Sequence, residues 1–284
     1  MTAPDPDEQR AATRESWENA AAGWGRHAER IRDWSMPVSV AMIEALALQP
    51  GLKVLELAAG PGDTGFLAAE LIQPGGTLIC TDGASAMLEV ARGRAAQLGI
   101  SNVEFHELEL EWIDLPTADV DALLCRWGIM FAVDPAAAAR EMRRVLRPGG
   151  RAAVAVWDVS ERNPWATLPN ATLIALGHAE PPDPNAPGMF VMGAEGVLGA
   201  LLEEAGFAEV TVTAVPLVRR HPSVEDYVRE TTEMSPMFSS VFAELDAGQQ
   251  SEVAERVAAA AVPFTADDGS VALPGSALVG AAAA

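Results

Sequence analysis

The chain has 284 residues, 49% of them hydrophobic and 21% charged, and a formal net charge of −21. That apolar content supports a sizeable core, in one large domain with insertions or in two small ones, without disulfide or metal staples. A uniformly acidic surface repels phosphate backbones and anionic bilayers, so the expected partners are small molecules, with no nucleic acid and no membrane.

Cys80 and Cys125 each lie inside an apolar run and are expected to be buried, reduced thiols of a cytoplasmic protein. No apolar run approaches the ~20 residues that span a bilayer. The opening MTAPDPDEQR is polar and acidic, unlike a signal peptide or a basic targeting helix.

Residues 1–12 are expected to be disordered, and 13–50 to form a helical region containing Trp17, Trp24 and Trp34. An alternation follows. Strands are predicted at 52–58, 77–82, 102–108, 119–127 and 151–157, with helices at 64–71, 85–99 and 134–146 between them. The turn RPGG closes the last of these helices. Strands alternating with helices indicate a parallel sheet covered on both faces. Downstream come helical stretches at 161–177 and 194–207, with a proline-rich loop at 180–188 between them. A sixth strand is predicted at 208–215, a helical insertion at 217–262, and a last strand within 263–284.

The stretch LELAAGPGDTG, Leu55 to Gly65, joins the first strand to its helix and spells G-x-G-x-x-G over Gly60, Gly62 and Gly65. The small residues let backbone approach a ligand, and Asp82, at the end of the second strand, suits ribose hydroxyls. Both features serve an NAD(P)-type dinucleotide equally with a phosphate-free nucleoside. Glu56 separates the two readings: a carboxylate is costly beside a diphosphate and helpful beside an ammonium group. Asp82 as a plain helix cap and Met87 as plain core packing are the competing structural readings.

Five stretches in register, VLELAAGPGDTG, CTDGASAML, VEFHELELEWIDLP, VDALLCRWGIMF and EMRRVLRPGGRAAVAVW, resemble the class I S-adenosylmethionine-dependent methyltransferases. The branch is the small-molecule one that includes the ubiquinone/menaquinone-biosynthesis C-methyltransferases. The resemblance implies a Rossmann-like α/β fold, a seven-stranded mostly parallel sheet ordered 3-2-1-4-5-7-6. An N-terminal helical lid and a helical insertion before the last strand would cover its carboxyl edge.

It also implies S-adenosylmethionine as cofactor, with S-adenosylhomocysteine as product. Glu56, Ala58, Gly60 and Gly62 would line the methionine and ribose. Asp82 and Gly83 would serve the ribose, Met87, Glu109 and Leu110 the adenine, and backbone near Arg126 the ammonium group. The family more often has Asp where Glu109 stands.

Trp127, Met130, Met234 and Phe238 are the expected walls of an apolar acceptor site, with Met189, Phe190 and Met192 as a further wall. Should the acceptor atom carry a proton, His27, His221 and Tyr227 are the candidate bases, with His178 a further histidine. No metal site is expected. The function expected is methyl transfer to O, N or C of a hydrophobic small molecule in secondary metabolism, by a monomer or homodimer. The alternatives are an NAD(P)-dependent oxidoreductase and a methyltransferase fold that binds the cofactor without methylating.

Overall fold

Short runs rich in apolar residues become the largely buried strands β1 (Lys53–Leu57), β2 (Thr77–Asp82), β4 (Val120–Arg126) and β5 (Leu146–Trp157), and the more polar β3 (Val103–Glu107) forms an edge without a buried residue. With β6 (Ala208–His221) and β7 (Val271–Ala283) they form one seven-stranded sheet, in the order β3-β2-β1-β4-β5-β7-β6. β1 to β5 pair in parallel, while β7 runs antiparallel to both β5 and β6. The expected order and mixture are those observed. The computed structural model describes residues 5–181 and 187–284, and the centre of the proline-rich loop lies outside them.

Two helices precede the sheet, α1 (Pro6–Arg26) and α2 (Ala28–Leu46). Residues 6–12, expected to be disordered, are helical: Asp5 caps α1 by accepting the Asp7 N–H, Pro6 fills the first turn, and Asp7 and Glu8 favour the positive helix end. α3 (Asp63–Leu71), α4 (Ser85–Leu98) and α5 (Pro135–Val145) connect the parallel strands, and α6 (Pro164–Ala175) and α7 (Val197–Glu204) follow β5.

β5 begins at Leu146, earlier than the expected 151, because RPGG is a bulge in which Leu146 pairs with Val120 and Arg151 with Ala122. β6 runs on to His221, six residues past its expected end, because β7 supplies a partner along that whole length. The insertion therefore starts after residue 221 and folds as α8 (Val224–Met234), α9 (Pro236–Glu244) and α10 (Ala247–Ala261). Ser223, Ser235 and Asp246 cap these three helices. Among the described residues no helix is long and apolar enough to cross a membrane. Cys80 and Cys125 are both buried and free.

Candidate active site

The carboxyl end of β1 opens into a turn with left-handed backbone at Ala58 (φ 50°), Gly60 (φ 53°) and Gly62 (φ 85°). The Ala59 N–H donates to the Thr81 carbonyl (2.9 Å), fixing the turn against β2. At Gly62 a Cβ would stand 2.5 Å from the Phe66 ring, so this corner admits only glycine.

Gly65 is glycine for a different reason. Its N–H donates to Glu56 Oε1 (2.8 Å), and a Cβ there would lie 2.0 Å from Glu56 Oε2. Glu56 is 3% exposed, and burial pushes its carboxyl up to about 8. Asp63, in the first turn of α3, lies 2.7 Å from Arg94 and 3.6 Å from Arg126. A diphosphate in a dinucleotide fold sits on the helix N-terminus after β1. Here the protein's own carboxyl groups, those of Glu56 and Asp63, hold that position, and the third glycine of G-x-G-x-x-G accommodates Glu56. The Arg126 side chain turns toward α2, donating to Ser35 Oγ and to Ser39 Oγ (3.3 Å).

Across the crevice, Asp82 accepts the Gly60 and Ala84 N–H groups, each at 2.9 Å. Burial raises its pKa to about 6 against the pull of those bonds, and the carboxylates of Glu18 and Glu109 add to the rise. Each Asp82 oxygen accepts one backbone bond and keeps capacity for a hydroxyl donor. Gly83 leaves the Glu109 carboxylate 3.5 Å from where a Cβ would stand. Met87 is buried with Ala84, Ala20 and Ala21, and Trp17 and Trp24 pack on them. Leu110 is half-buried.

α1 lies over this edge. Glu18 accepts the N–H groups of Ser85 (2.6 Å) and Ala86 (2.9 Å), so it caps α4 from another helix. Arg14 pairs with Glu109 (2.6 Å) and Arg10 with Glu111 (2.7 Å). Trp24 donates to the Met234 carbonyl (3.0 Å), tying α1 to the end of α8.

On the other side of the turn, the carboxyl ends of β4 and β5 present Trp127 and Trp157. Trp127 has φ 59°, unusual for a bulky residue, and the Trp127 N–H donates to the Ala155 carbonyl (2.7 Å). The two indoles stack at 4.1 Å and 10°. Trp34 of α2 stacks on Trp127 at 5.4 Å, and Trp165 of α6 leans on Trp157 at 4.8 Å. Met130 is buried, and its carbonyl accepts the Gly188 N–H (3.0 Å). Met234 and Phe238 are buried too, Met234 beside Trp24 and Phe238 stacked on Phe242 at 5.3 Å.

Of the three candidate bases, two are hydrogen-bonded within the protein, and His221 is buried with both ring nitrogens unpartnered among the described residues. His27, between α1 and α2, bonds Glu233 (2.8 Å). Tyr227 is fully buried and donates its hydroxyl to the Trp165 carbonyl (2.5 Å). Burial lowers His221 to about 4, which leaves a neutral and weakly basic ring near pH 7. His221, Asp226 and Glu230 present ligand atoms within 4.8 Å of one another. Arg30 Nη1 donates to both carboxylates and Arg219 to Glu230, so guanidinium groups already neutralise that cluster.

Glu18, Trp34, Trp157, Trp165 and Arg219 also lie in this region and are not among the residues predicted for the site. Trp157 was within reach, since it ends β5 as Trp127 ends β4. Arg219 falls within the expected helical insertion, whereas the structure places it in β6, 4% exposed.

Residues 48–180 match the family model described as a methyltransferase domain. An uncharacterized protein of Mycobacterium tuberculosis is 33% identical over 133 residues, 47% of each chain. The ubiquinone/menaquinone biosynthesis C-methyltransferase of Cellvibrio japonicus is 36% identical over 110 residues, 38% of this chain and 44% of that one. The chain thus matches less than half the length of these curated relatives.

The YcgJ protein of Bacillus subtilis shares the fold with TM-score 0.57 at 18% identity, over 86% of this chain and 97% of that one. Phosphoethanolamine N-methyltransferase 2 of Haemonchus contortus, solved with S-adenosyl-L-methionine, does so with TM-score 0.53 at 14% identity, over 87% and 52%. Over residues 48–180 the chain is similar to methyltransferase domains, and it resembles the ubiquinone/menaquinone branch of the class I S-adenosylmethionine-dependent methyltransferases.

Proposed function

We propose that this protein transfers the methyl group of S-adenosylmethionine to an O, N or C atom of a hydrophobic small molecule seated above β4 and β5. The observation that carries this reading is the helix end after β1. Glu56 holds the Gly65 N–H, and Asp63 fills the first turn of α3, so the site has no seat for a diphosphate.

The residues present fit the cofactor. Asp82, aligned by two backbone N–H groups, would take the ribose hydroxyls, and the turn from Ala58 to Gly62 would run beneath the ribose and methionine. Met87 and Gly83 would face the adenine, with Glu109 on its amino group once Arg14 shares or releases that carboxylate. Glu56 is buried under α3 and, with its pKa raised to about 8, holds its proton at neutral pH, so it would not serve as the charge partner of an ammonium group.

When bound, the cofactor would supply a sulfonium methyl group for in-line transfer to the acceptor atom, leaving as the neutral thioether, with any proton on that atom released to solvent. The protein's part is to position and to exclude water. Trp127 and Trp157 form the floor beside the turn, and α1, with Trp17 and Trp24, covers the edge. No base is required for an acceptor that arrives as a nucleophile, consistent with the other commitments of His27 and Tyr227.

Isothermal titration with S-adenosylhomocysteine and with NAD+ and NADP+ tests the cofactor. Binding of the first alone is expected, and binding of either dinucleotide with equal affinity would overturn the reading. Incubation with methyl-labelled cofactor and a panel of apolar acceptors, scored for a mass gain of one methylene, tests the transfer.

A further inference from the structure

The glycine turn after β1 does not hold its own shape. Ala58, Gly60 and Gly62 all take left-handed backbone, at φ 50°, 53° and 85°, and Ala58 does so with a Cβ. A run of this kind persists only where its surroundings fix it. On the β2 side Asp82 accepts the Gly60 N–H (2.9 Å). Pro61 comes next and is buried. It has no N–H, so its carbonyl is the one main-chain group by which it can be held, and a buried carbonyl needs a partner.

The partner comes from another helix. Arg94, in the third turn of α4, donates from Nη1 to the Pro61 carbonyl (2.6 Å). The same nitrogen lies 2.7 Å from Asp63 Oδ1, so one guanidinium meets the chain on both sides of Gly62. Arg94 and Asp63 are 7% and 5% exposed. Packing alone does not account for an arginine there, since an apolar chain fills the same space without desolvating a charge. The other charged groups near the pair are Arg126, with Nη2 3.6 Å from Asp63 Oδ2, and the exposed Glu29, 3.8 Å from Arg94 Nη2. Glu56 is uncharged at neutral pH, which leaves Asp63 as the buried anion for both guanidinium groups. Its hold on Arg94 is correspondingly firm. α4 also carries Met87, so Arg94 ties the adenine wall of the crevice to the turn that forms its floor.

We propose that Arg94 is a positioning residue of the cofactor site: clamped by Asp63, it holds the Pro61 carbonyl and so sets the left-handed turn on which the ribose and methionine would lie. This rests on the methyl-transfer reading and adds a residue that acts through the turn.

The test is calorimetry with S-adenosylhomocysteine on the full chain, paired with amide hydrogen exchange on the same proteins without ligand. Arg94→Met keeps an unbranched apolar stem and removes the donors, whereas Arg94→Lys keeps a charged donor. Arg94→Met is expected to weaken S-adenosylhomocysteine about tenfold, the scale of one hydrogen bond from a charged group, and Arg94→Lys to stay within about threefold of the parent. In Arg94→Met, exchange at the Gly60 and Gly62 amides should quicken about tenfold while Leu55 and Leu57 of β1 keep the parent rate. A side chain that only packs would give way to methionine without moving those two amides. Should Arg94→Met fail to fold, Asp63→Asn loosens the clamp and leaves Arg94 in place; about threefold weaker binding and quicker exchange at the same two glycines are then expected. Parent-like binding by Arg94→Met, an Arg94→Lys no better than Arg94→Met, or weaker binding without quicker exchange at Gly60 and Gly62 would overturn the proposal and leave the cofactor reading standing. Failure of the parent chain to bind S-adenosylhomocysteine would overturn both.

Discussion

Glu56 makes a measurable claim on the stability of the fold. Burial lifts its pKa from the ordinary 4.5 to about 8, so the folded protein holds a proton that the unfolded chain releases. The stability tied to this proton is fully present below pH 4.5 and is lost as pH rises through 8. At about 1.36 kcal/mol per pH unit, the interval is worth on the order of 3–5 kcal/mol. Glu56→Gln removes the titration and keeps an oxygen for the Gly65 N–H. Urea unfolding of both proteins between pH 4.5 and 8.5 supplies the comparison, and taking their difference cancels the similar but smaller effect of Asp82. The stability difference, variant minus parent, is expected to climb in favour of the variant by several kcal/mol across that window. A difference flat with pH would refute the argument, because it would mean that Glu56 is ionised and solvated at neutral pH.

Gly65→Ala places a methyl 2.0 Å from Glu56 Oε2, and should cost about 2–4 kcal/mol in denaturant unfolding; a Glu56→Ala background should recover more than half of that loss. Asp82→Ala should weaken S-adenosylhomocysteine by about 1–3 kcal/mol in calorimetry. In the parent protein that affinity should fall as pH drops below about 6, where the Asp82 carboxylate takes up its proton. Glu18→Ala removes the cap that α1 places on α4. It should cost about 1 kcal/mol in unfolding and speed amide exchange at Ser85 and Ala86 before the rest of α4.

The sheet could be read from the sequence because its strands are short apolar runs punctuated by glycine and proline, and β2 lies at the expected 77–82. Strand ends decided by a partner were not legible. β6 continues to His221 through PLVRRH, a segment whose polarity argues against a strand, because Leu273 and Val271 of β7 pair with Arg219 and His221. The glycine turn and Asp82 could be found by spacing, since one local segment carries their geometry. The tryptophan cluster could not, because Trp34, Trp127, Trp157 and Trp165 come from four elements and only the fold stacks their rings. The role of Glu56 was half legible: its conflict with a diphosphate follows from charge, its burial against Gly65 only from the packed helix.

The place of β7 has a consequence for biosynthesis. Residues 271–283 enter between β5 and β6, strands made long before them, and 49 residues of insertion separate β6 from β7, its partner in the sheet. A ribosome that has finished β6 has therefore produced two strands with open hydrogen-bonding edges facing each other across a gap one strand wide. Until residue 283 emerges, that gap is a docking place for any passing extended segment. Chaperone dependence during synthesis should thus be greatest while residues 222–283 are being made, and removal of residues 271–283 should yield an aggregating chain, not a smaller folded one.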